Sequence, residues 1–130
     1  MPYQLEFELP GLPKTVNQLG RRHWAVKVKH NKYWEQMVAL AVCGQKPIRP
    51  LSTATVMLTR ISSVEPDFDN LVNSFKVILD SLIKAGVLEN DRTVNIGHPT
   101  YVWERCKPGK GSIRVEIVSS DSETQREGAI

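Results

Sequence analysis

The chain has 130 residues, of which 41% are apolar and 24% are charged, and its formal net charge is +3 at pH 7. That length suits one domain with a single modest core, and the composition is ordinary for globular proteins. No stretch approaches the roughly 18 apolar residues of a membrane span, and the N-terminus lacks the pattern of a secretory signal. We therefore expect a cytoplasmic domain that does not bind membranes.

The cysteine content is also typical of a cytoplasmic protein. Cys43 and Cys106 have no CxxC spacing and no companion histidine cluster. We expect two reduced thiols, and a disulfide or zinc role is the minor alternative.

The N-terminal segment has the period of a strand. Apolar residues recur at every second position over residues 3–9, and Pro10, Gly11 and Pro13 then end the element. Residues 14–29 have no clean period, so we predict a long loop there. Asn31 is the predicted N-cap of a helix over residues 32–43, which Gly44 follows. Tyr33, Met37, Leu40 and Ala41 have helical spacing within it.

Positive charge is concentrated near this loop. No acidic residue occurs between Leu9 and Trp34, whereas several basic residues do. The predicted DNA-binding residues are Lys14, Arg21, Arg22, Lys27, Lys29 and Lys32. Such a patch suits a polyanionic phosphate backbone. A solvated basic loop without a partner is the alternative.

The rest of the chain alternates strands and a helix. Residues 53–61 are rich in β-branched side chains and predict a strand. A helix over 70–85 is predicted by an apolar stripe and by Gly86 at its end. The stripe consists of Leu71 or Val72, then Phe75, Ile78, Leu79, Leu82 and Ile83. Residues 94–103 and 112–118 predict two strands joined as an antiparallel hairpin by the turn at 107–111.

This order of elements predicts an α+β fold. We expect one domain over residues 1–118, with two main helices packed on a mixed sheet, followed by a polar, disordered tail over 119–130.

Two aspartates mark the start of the second helix. Asp67 and Asp69 flank Phe68, and in an extended segment side chains at i and i+2 project to the same side. Their oxygen atoms suit a hard cation such as Mg²⁺ or Mn²⁺. The simpler alternative makes Asp69 an N-cap and Asp67 a solvated loop residue.

One stretch of the sequence contains the run Pro66-Asp67-Phe68-Asp69-Asn70-Leu71, then Lys76, Asp80 and Leu82, and then Asp91 and Val94. This pattern resembles the signature of the RusA-type Holliday-junction resolvases. The early Leu9-Pro10-Gly11-Leu12-Pro13 and Asn17 resemble that family's N-terminal strand and loop. The similarity covers most of residues 5–118, and only its part from Pro66 to Val94 is specific.

The resemblance implies a homodimeric, Mg²⁺-dependent endonuclease that resolves four-way DNA junctions by paired nicks in recombination and repair. Many members of this family are encoded by phages and prophages. The resemblance makes Asp67, Asp69 and Asp91 the catalytic and metal-binding carboxylates and Lys76 a basic residue important for cleavage. It implies no small-molecule cofactor.

The sequence departs from the family pattern at two places. Asn73 stands where the family prototype has its lysine, four residues after the second Asp, and Lys76 comes seven after Asp69. The alternative is therefore that Lys76 is an ordinary surface lysine without a role in cleavage. The acidic pair before the last strands is Asn90-Asp91 here, so only Asp91 is anionic. We expect Asp80 to be a helix-surface partner of Lys76.

The geometry of one continuous helix suggests a shared site. A helix over 70–85 would be about 24 Å long, and residues 86–90 return at most about 17 Å. We therefore hypothesise that the partner subunit supplies Asp91.

The expected chemistry is metal-assisted phosphodiester hydrolysis, in which Asp91 or Asp69 orients the water and Lys76 stabilises developing charge. A flap or fork nuclease and a non-catalytic nucleic-acid-binding module remain the alternatives.

Overall fold

The computed structural model describes residues 3–14 and 24–119. In this part of the chain, helices and strands alternate much as predicted. The elements are β1 (Tyr3–Pro10), α1 (Trp24–Val42), β2 (Thr55–Ser62), α2 (Phe68–Ser74), α3 (Lys76–Lys84), α4 (Thr93–Ile96), β3 (Thr100–Arg105) and β4 (Ser112–Ser119).

The strands form one four-stranded sheet in the order β1-β4-β2-β3. β4 is antiparallel to both β1 and β2, and β3 is parallel to β2. The sheet is therefore mixed, and the predicted α+β single domain is confirmed.

The predicted hairpin of β3 and β4 is wrong. β4 lies between β1 and β2, and β3 lies at the edge beside β2. Ile113, Val115 and Ile117 of β4 are almost fully buried, as suits a strand paired on both sides. The residues of β3 are only partly buried or exposed, as suits an edge strand.

One face of the sheet packs against the helices. Tyr3, Leu5, Phe7 and Leu9 alternate with exposed residues along β1, as predicted. α1 packs against α3 and against β1. The resulting core joins apolar residues from both layers and from the connections between them.

The first helix is longer than predicted. α1 begins at Trp24, so residues 24–29 are helical and Asn31 lies inside the helix instead of capping it. The buried residues are Trp34, Val38 and Val42, whereas Tyr33 is 49% exposed and Leu40 is 73% exposed. The first two turns bury no side chain, so no apolar stripe marks them in the sequence.

The second predicted helix is divided at Phe75. Its apolar stripe is confirmed, since Leu71, Phe75, Ile78, Leu79 and Leu82 are buried. However, the Phe75 N–H donates to Val72 O at 3.1 Å, which is a bond of the tighter 3₁₀ type. The Ser74 hydroxyl donates to Leu71 O at 2.8 Å, a contact that often bends helices. α2 and α3 are consequently separate helices.

Smaller differences occur at other boundaries. Val94 to Ile96 belong to the short helix α4 and not to a strand, and Ser119, which we assigned to the tail, ends β4. Residues 120–130 of the predicted tail lie outside the described residues. Gly44 and Gly86 both have positive φ, as expected after a helix. No helix in residues 3–14 and 24–119 is long and apolar enough to cross a bilayer.

A buried arginine fixes the segment before residues 15–23. Arg60 faces the core from β2 and is 5% exposed. Its Nη1 donates to Pro13 O at 2.8 Å, and burial lowers the pKa of its guanidinium. Because an unsatisfied buried donor costs about 1–3 kcal/mol, this bond holds Pro13 against the end of β2.

Candidate functional site

Asp67 and Asp69 lie at the start of α2. Asp67 occupies the N-cap position with φ −58° and ψ 151°, but its side chain makes no capping hydrogen bond. Asp69 is in the first helical turn, so the alternative role of Asp69 as N-cap is wrong. The extended geometry expected for residues 67–69 holds only at Asp67, because Phe68 is already helical.

Both carboxylates are exposed. Neither forms an ion pair with any residue in the described ranges. Two exposed carboxylates without cationic partners keep their oxygen atoms available to a ligand.

Lys76 is the first residue of α3 and contacts two carboxylates. Its Nζ lies 2.7 Å from Asp91 Oδ2 and 3.2 Å from Asp80 Oδ1. The expected surface pairing of Asp80 with Lys76 is confirmed. The hydrogen bond with Asp91 is the main cause that raises the pKa of Lys76, and the same bond lowers the pKa of Asp91. At neutral pH, Lys76 is therefore a cation and Asp91 an anion.

The segment around Asp91 is anchored to the connection between α1 and β2. Leu51 and Leu88 form an isolated β-bridge, and the Asn95 side-chain amide donates to Ser52 O at 2.7 Å. The Arg92 N–H donates to Asn90 Oδ1 at 2.8 Å, which closes a turn around Asp91. These contacts return Asp91 to the beginning of α3.

The position of Asp91 beside Lys76 bears on the hypothesis that the partner subunit supplies Asp91. That hypothesis assumed one helix over residues 70–85, whereas α3 starts anew at Lys76 and contains nine residues, about 13.5 Å at 1.5 Å per residue. The premise of one continuous helix is wrong, because the chain starts a new helix at Lys76. Asp91 contacts Lys76 of its own chain.

Tyr101 of β3 lies between the two acidic segments and was missed by sequence analysis. Its ring centroid is 6.3 Å from that of Phe68, which separates Asp67 from Asp69, and 6.2 Å from that of Phe75, which precedes Lys76. Burial raises the pKa of its hydroxyl, while the charges of Lys76 and Asp91 act on it in opposite directions. Alternation along residues 100–105 is the only sequence signal that could have placed Tyr101 on the helix side of the sheet.

The predicted DNA-binding residues that the structure describes all lie on or beside α1. Lys27, Lys29 and Lys32 lie on the N-terminal half of α1. The Lys14 backbone N–H donates to His30 Nε2 at 3.0 Å, which attaches Lys14 to the same helix. Arg21 and Arg22 lie outside the described residues.

The predicted free thiols are confirmed at Cys43 and Cys106.

The residues fit a hard cation at Asp67 and Asp69 better than at all three aspartates together. Within residues 3–14 and 24–119, no group of three or more His, Cys, Asp or Glu side chains is arranged to hold a metal ion. Asp91 is paired with Lys76, whereas Asp67 and Asp69 form no ion pair with any of the described residues. Mg²⁺ commonly takes only one or two protein carboxylates and completes its shell with water and phosphate.

Comparison of the chain with protein-family models and with curated proteins found no match. Function is therefore inferred from the contacts above and from the resemblance around Pro66–Leu71.

Proposed function

We propose that this protein is a Mg²⁺-dependent, structure-selective DNA endonuclease of the RusA type that resolves four-way junctions. The observation that supports this best is that Asp67 stands at a helix start without capping it, beside the equally unengaged Asp69. Exposed carboxylates that make neither a capping hydrogen bond nor an ion pair within the described residues are suited to a ligand.

Asp67 and Asp69 would hold Mg²⁺, with Mn²⁺ as a substitute. When bound, such an ion polarises a phosphate and lowers the pKa of a water molecule. Asp67 and Asp69 would be sufficient as protein ligands, since Mg²⁺ commonly takes one or two protein carboxylates.

Lys76 has two roles in the proposed site. It is a cation at neutral pH, as lysine ordinarily is, and the hydrogen bond with Asp91 raises its pKa further, so it would serve as a cation for the phosphate and not as a base. It also fixes the Asp91 carboxylate at 2.7 Å, which orients that anion for a hydrogen bond with water. Attack of water on phosphorus breaks one P–O ester bond and leaves a phosphomonoester and a hydroxyl group.

The substrate follows from charge and from the resemblance together. Lys14, Lys27, Lys29 and Lys32 would bind the phosphate backbone, together with Arg21 and Arg22. A homodimer would suit a four-way junction, because two symmetric sites can cut two opposed strands.

The decisive experiment uses a labelled synthetic four-way junction, with duplex and flap DNA as controls. We expect metal-dependent cleavage of the junction and none of the duplex. Preferred cleavage of the flap would favour a flap or fork nuclease instead. Junction binding that never leads to cleavage, with either metal, would favour a non-catalytic binding module and overturn the proposal.

Dimerisation has its own measurement. Sedimentation or light scattering of the free protein is expected to give the mass of two chains. A monomer both alone and on a junction would overturn this part of the proposal.

A further inference from the structure

We propose that a cleft beside the turn at residues 107–111 binds backbone phosphates of DNA, on the strand that reaches Asp67. This inference rests on the proposed nuclease function and adds a second contact region to the basic residues of α1.

The cleft lies at the end of the sheet where β1 and β2 finish and β4 begins. Its volume is about 700 Å³. It is lined by Glu8, Pro10, Gly11, Leu12, Ser63, Lys107, Gly109, Lys110, Gly111 and Ser112. None of these side chains is aromatic, so the surface offers charges and amide groups but no platform for stacking a base. Such a lining suits the sugar-phosphate backbone of any sequence.

The walls of the cleft are held by close backbone contacts. The Gly11 N–H donates to Gly111 O at 2.9 Å and joins the two sides. A Cβ atom at Gly111 would lie 2.7 Å from Leu12 Cδ1, so a larger residue there would displace the Leu12 side chain. Gly109 has φ +81°, which turns the chain between Lys107 and Lys110. The cleft is consequently preformed.

The cations of the cleft are not neutralised by nearby carboxylates. Lys107 and Lys110 are exposed and form no ion pair within the described ranges. By contrast, Lys76, Lys84 and Arg114 are each paired with an acidic residue.

Glu8 is the one acidic residue among the described residues that line the cleft. Its charge is already engaged, since it accepts a hydrogen bond from the Ser112 hydroxyl at 3.0 Å and lies 3.9 Å from Arg114 Nε. The remaining charge of the cleft is therefore positive and attracts an anion.

Ser63 connects the cleft to the proposed active site. It lines the cleft and precedes Asp67 by four residues, which span at most about 14 Å. A DNA strand carries one phosphate per about 3.4 Å along the duplex axis. A strand with one phosphate at Asp67 would thus place another phosphate at the cleft within about four nucleotides.

The connecting segment is fixed against β3. Trp103 Nε1 donates to the Ser62 hydroxyl at 2.9 Å, and that hydroxyl donates to Val64 O at 2.8 Å. Arg105 Nη1 donates to Ser63 O at 3.1 Å. The spacing between cleft and Asp67 is thus set by the fold, which allows the cleft to position a strand for cleavage.

The test compares two double variants that each remove two positive charges. Lys107→Ala with Lys110→Ala changes the cleft. Arg49→Ala with Lys84→Ala is the control, since both residues are exposed and neither lines the cleft. Junction affinity is measured over a range of salt concentrations without a catalytic metal.

We expect the cleft variant to bind the junction more weakly and the slope of log affinity against log salt to become shallower by about 1 to 2, because each lost phosphate contact removes about 0.9. The control should retain the wild-type slope, and both variants should keep the wild-type unfolding temperature.

Neutral methylphosphonate linkages up to four nucleotides from the cut site provide a second readout. They should weaken binding of the wild type and leave the cleft variant unaffected. Wild-type binding with the same slope in the cleft variant would overturn this inference alone. A wild type that neither binds nor cleaves branched DNA would instead overturn the proposed function.

Discussion

The two acidic segments of the proposed site differ in their electrostatic state. Asp67 and Asp69 are exposed and have no ion-pair partner within the described ranges, whereas Asp91 is held by Lys76 at 2.7 Å. Tyr101 packs near both segments through Phe68 and Phe75. Residues of the same type therefore differ in their surroundings: Asp67 and Asp69 are exposed and unpaired within the described ranges, and Asp91 is held in position by Lys76.

The largest expected effect comes from the free pair. Asp69→Asn should lower junction cleavage by about 10²- to 10⁴-fold, because an amide neither attracts a cation nor accepts a proton as a carboxylate does. Single-turnover cleavage and junction binding check this, and binding should persist. Glu65→Gln, an exposed acidic change in the same loop, is the control. Wild-type cleavage by Asp69→Asn would show that the free pair is not catalytic.

Substitution of Lys76, the partner of Asp91, should reduce cleavage less than the loss of Asp69. Lys76→Met should reduce cleavage by about 10- to 100-fold, as expected for loss of a group that orients a functional carboxylate. Lys76→Arg should recover part of the rate, and Lys84→Met, which breaks an exposed pair with Glu35, should not reduce it.

Coupling between these two residues can be measured directly. Lys76→Met combined with Asp91→Asn should lose little more activity than the more damaging single change, because the two side chains act as one unit. Fully additive losses would separate their roles.

The residue between the segments should have a modest effect. Tyr101→Phe keeps the ring contacts and removes only the hydroxyl, so we expect a two- to tenfold loss of kcat, equivalent to about 0.5–1.5 kcal/mol. Tyr101→Ala should also lower the unfolding temperature, because it removes the aromatic contacts with Phe68 and Phe75. If Tyr101→Phe retains the wild-type kcat, the role of Tyr101 is packing alone.

The Lys76–Asp91 ion pair should also make a small, pH-dependent contribution to the free energy of unfolding. Lys76 is 62% exposed, so the pair is worth about 0.2–1 kcal/mol at neutral pH. The pKa of Asp91 is lowered, so its contribution is present above the ordinary value near 3.9 and is lost as pH falls through the lowered pKa. The pKa of Lys76 is raised, so its contribution is present below its ordinary value near 10.4 and is lost as pH rises through the raised pKa.

Urea unfolding of the wild type and of Asp91→Asn measures this difference. The two should differ near pH 7 and converge in acid. A difference that persists well below pH 3 would mean that another contact of Asp91 stabilises the fold.

Mixing two inactive variants is expected to leave the cleavage activity unchanged. Mixing Asp69→Asn with Asp91→Asn subunits should restore no cleavage, because Asp91 lies with Lys76 in its own chain. Recovery of about a quarter of wild-type activity would instead mean that two subunits share the site, because half of randomly mixed dimers are mixed and each of these has one intact site of two.

Much of the local structure was predictable from the sequence. The alternation of β1, the apolar stripe across residues 71–82 and the glycine ends at Gly44 and Gly86 were all found as expected. These features depend on neighbours within about four positions, which share one face of a helix or a strand. The placement of Asp67 and Asp69 at a helix start is local in the same sense.

Only the tertiary structure decided the position of β4 between β1 and β2, the contact of Lys76 with Asp91, and the place of Tyr101. Each depends on which strand edges pair and on how the chain returns after α3, and these choices are made by packing between residues distant in sequence. The sequence by itself determined which residues alternate between core and solvent and where the acidic residues begin a helix. The fold determined which of them meet, because side chains 15 or more positions apart come together only when the core is assembled.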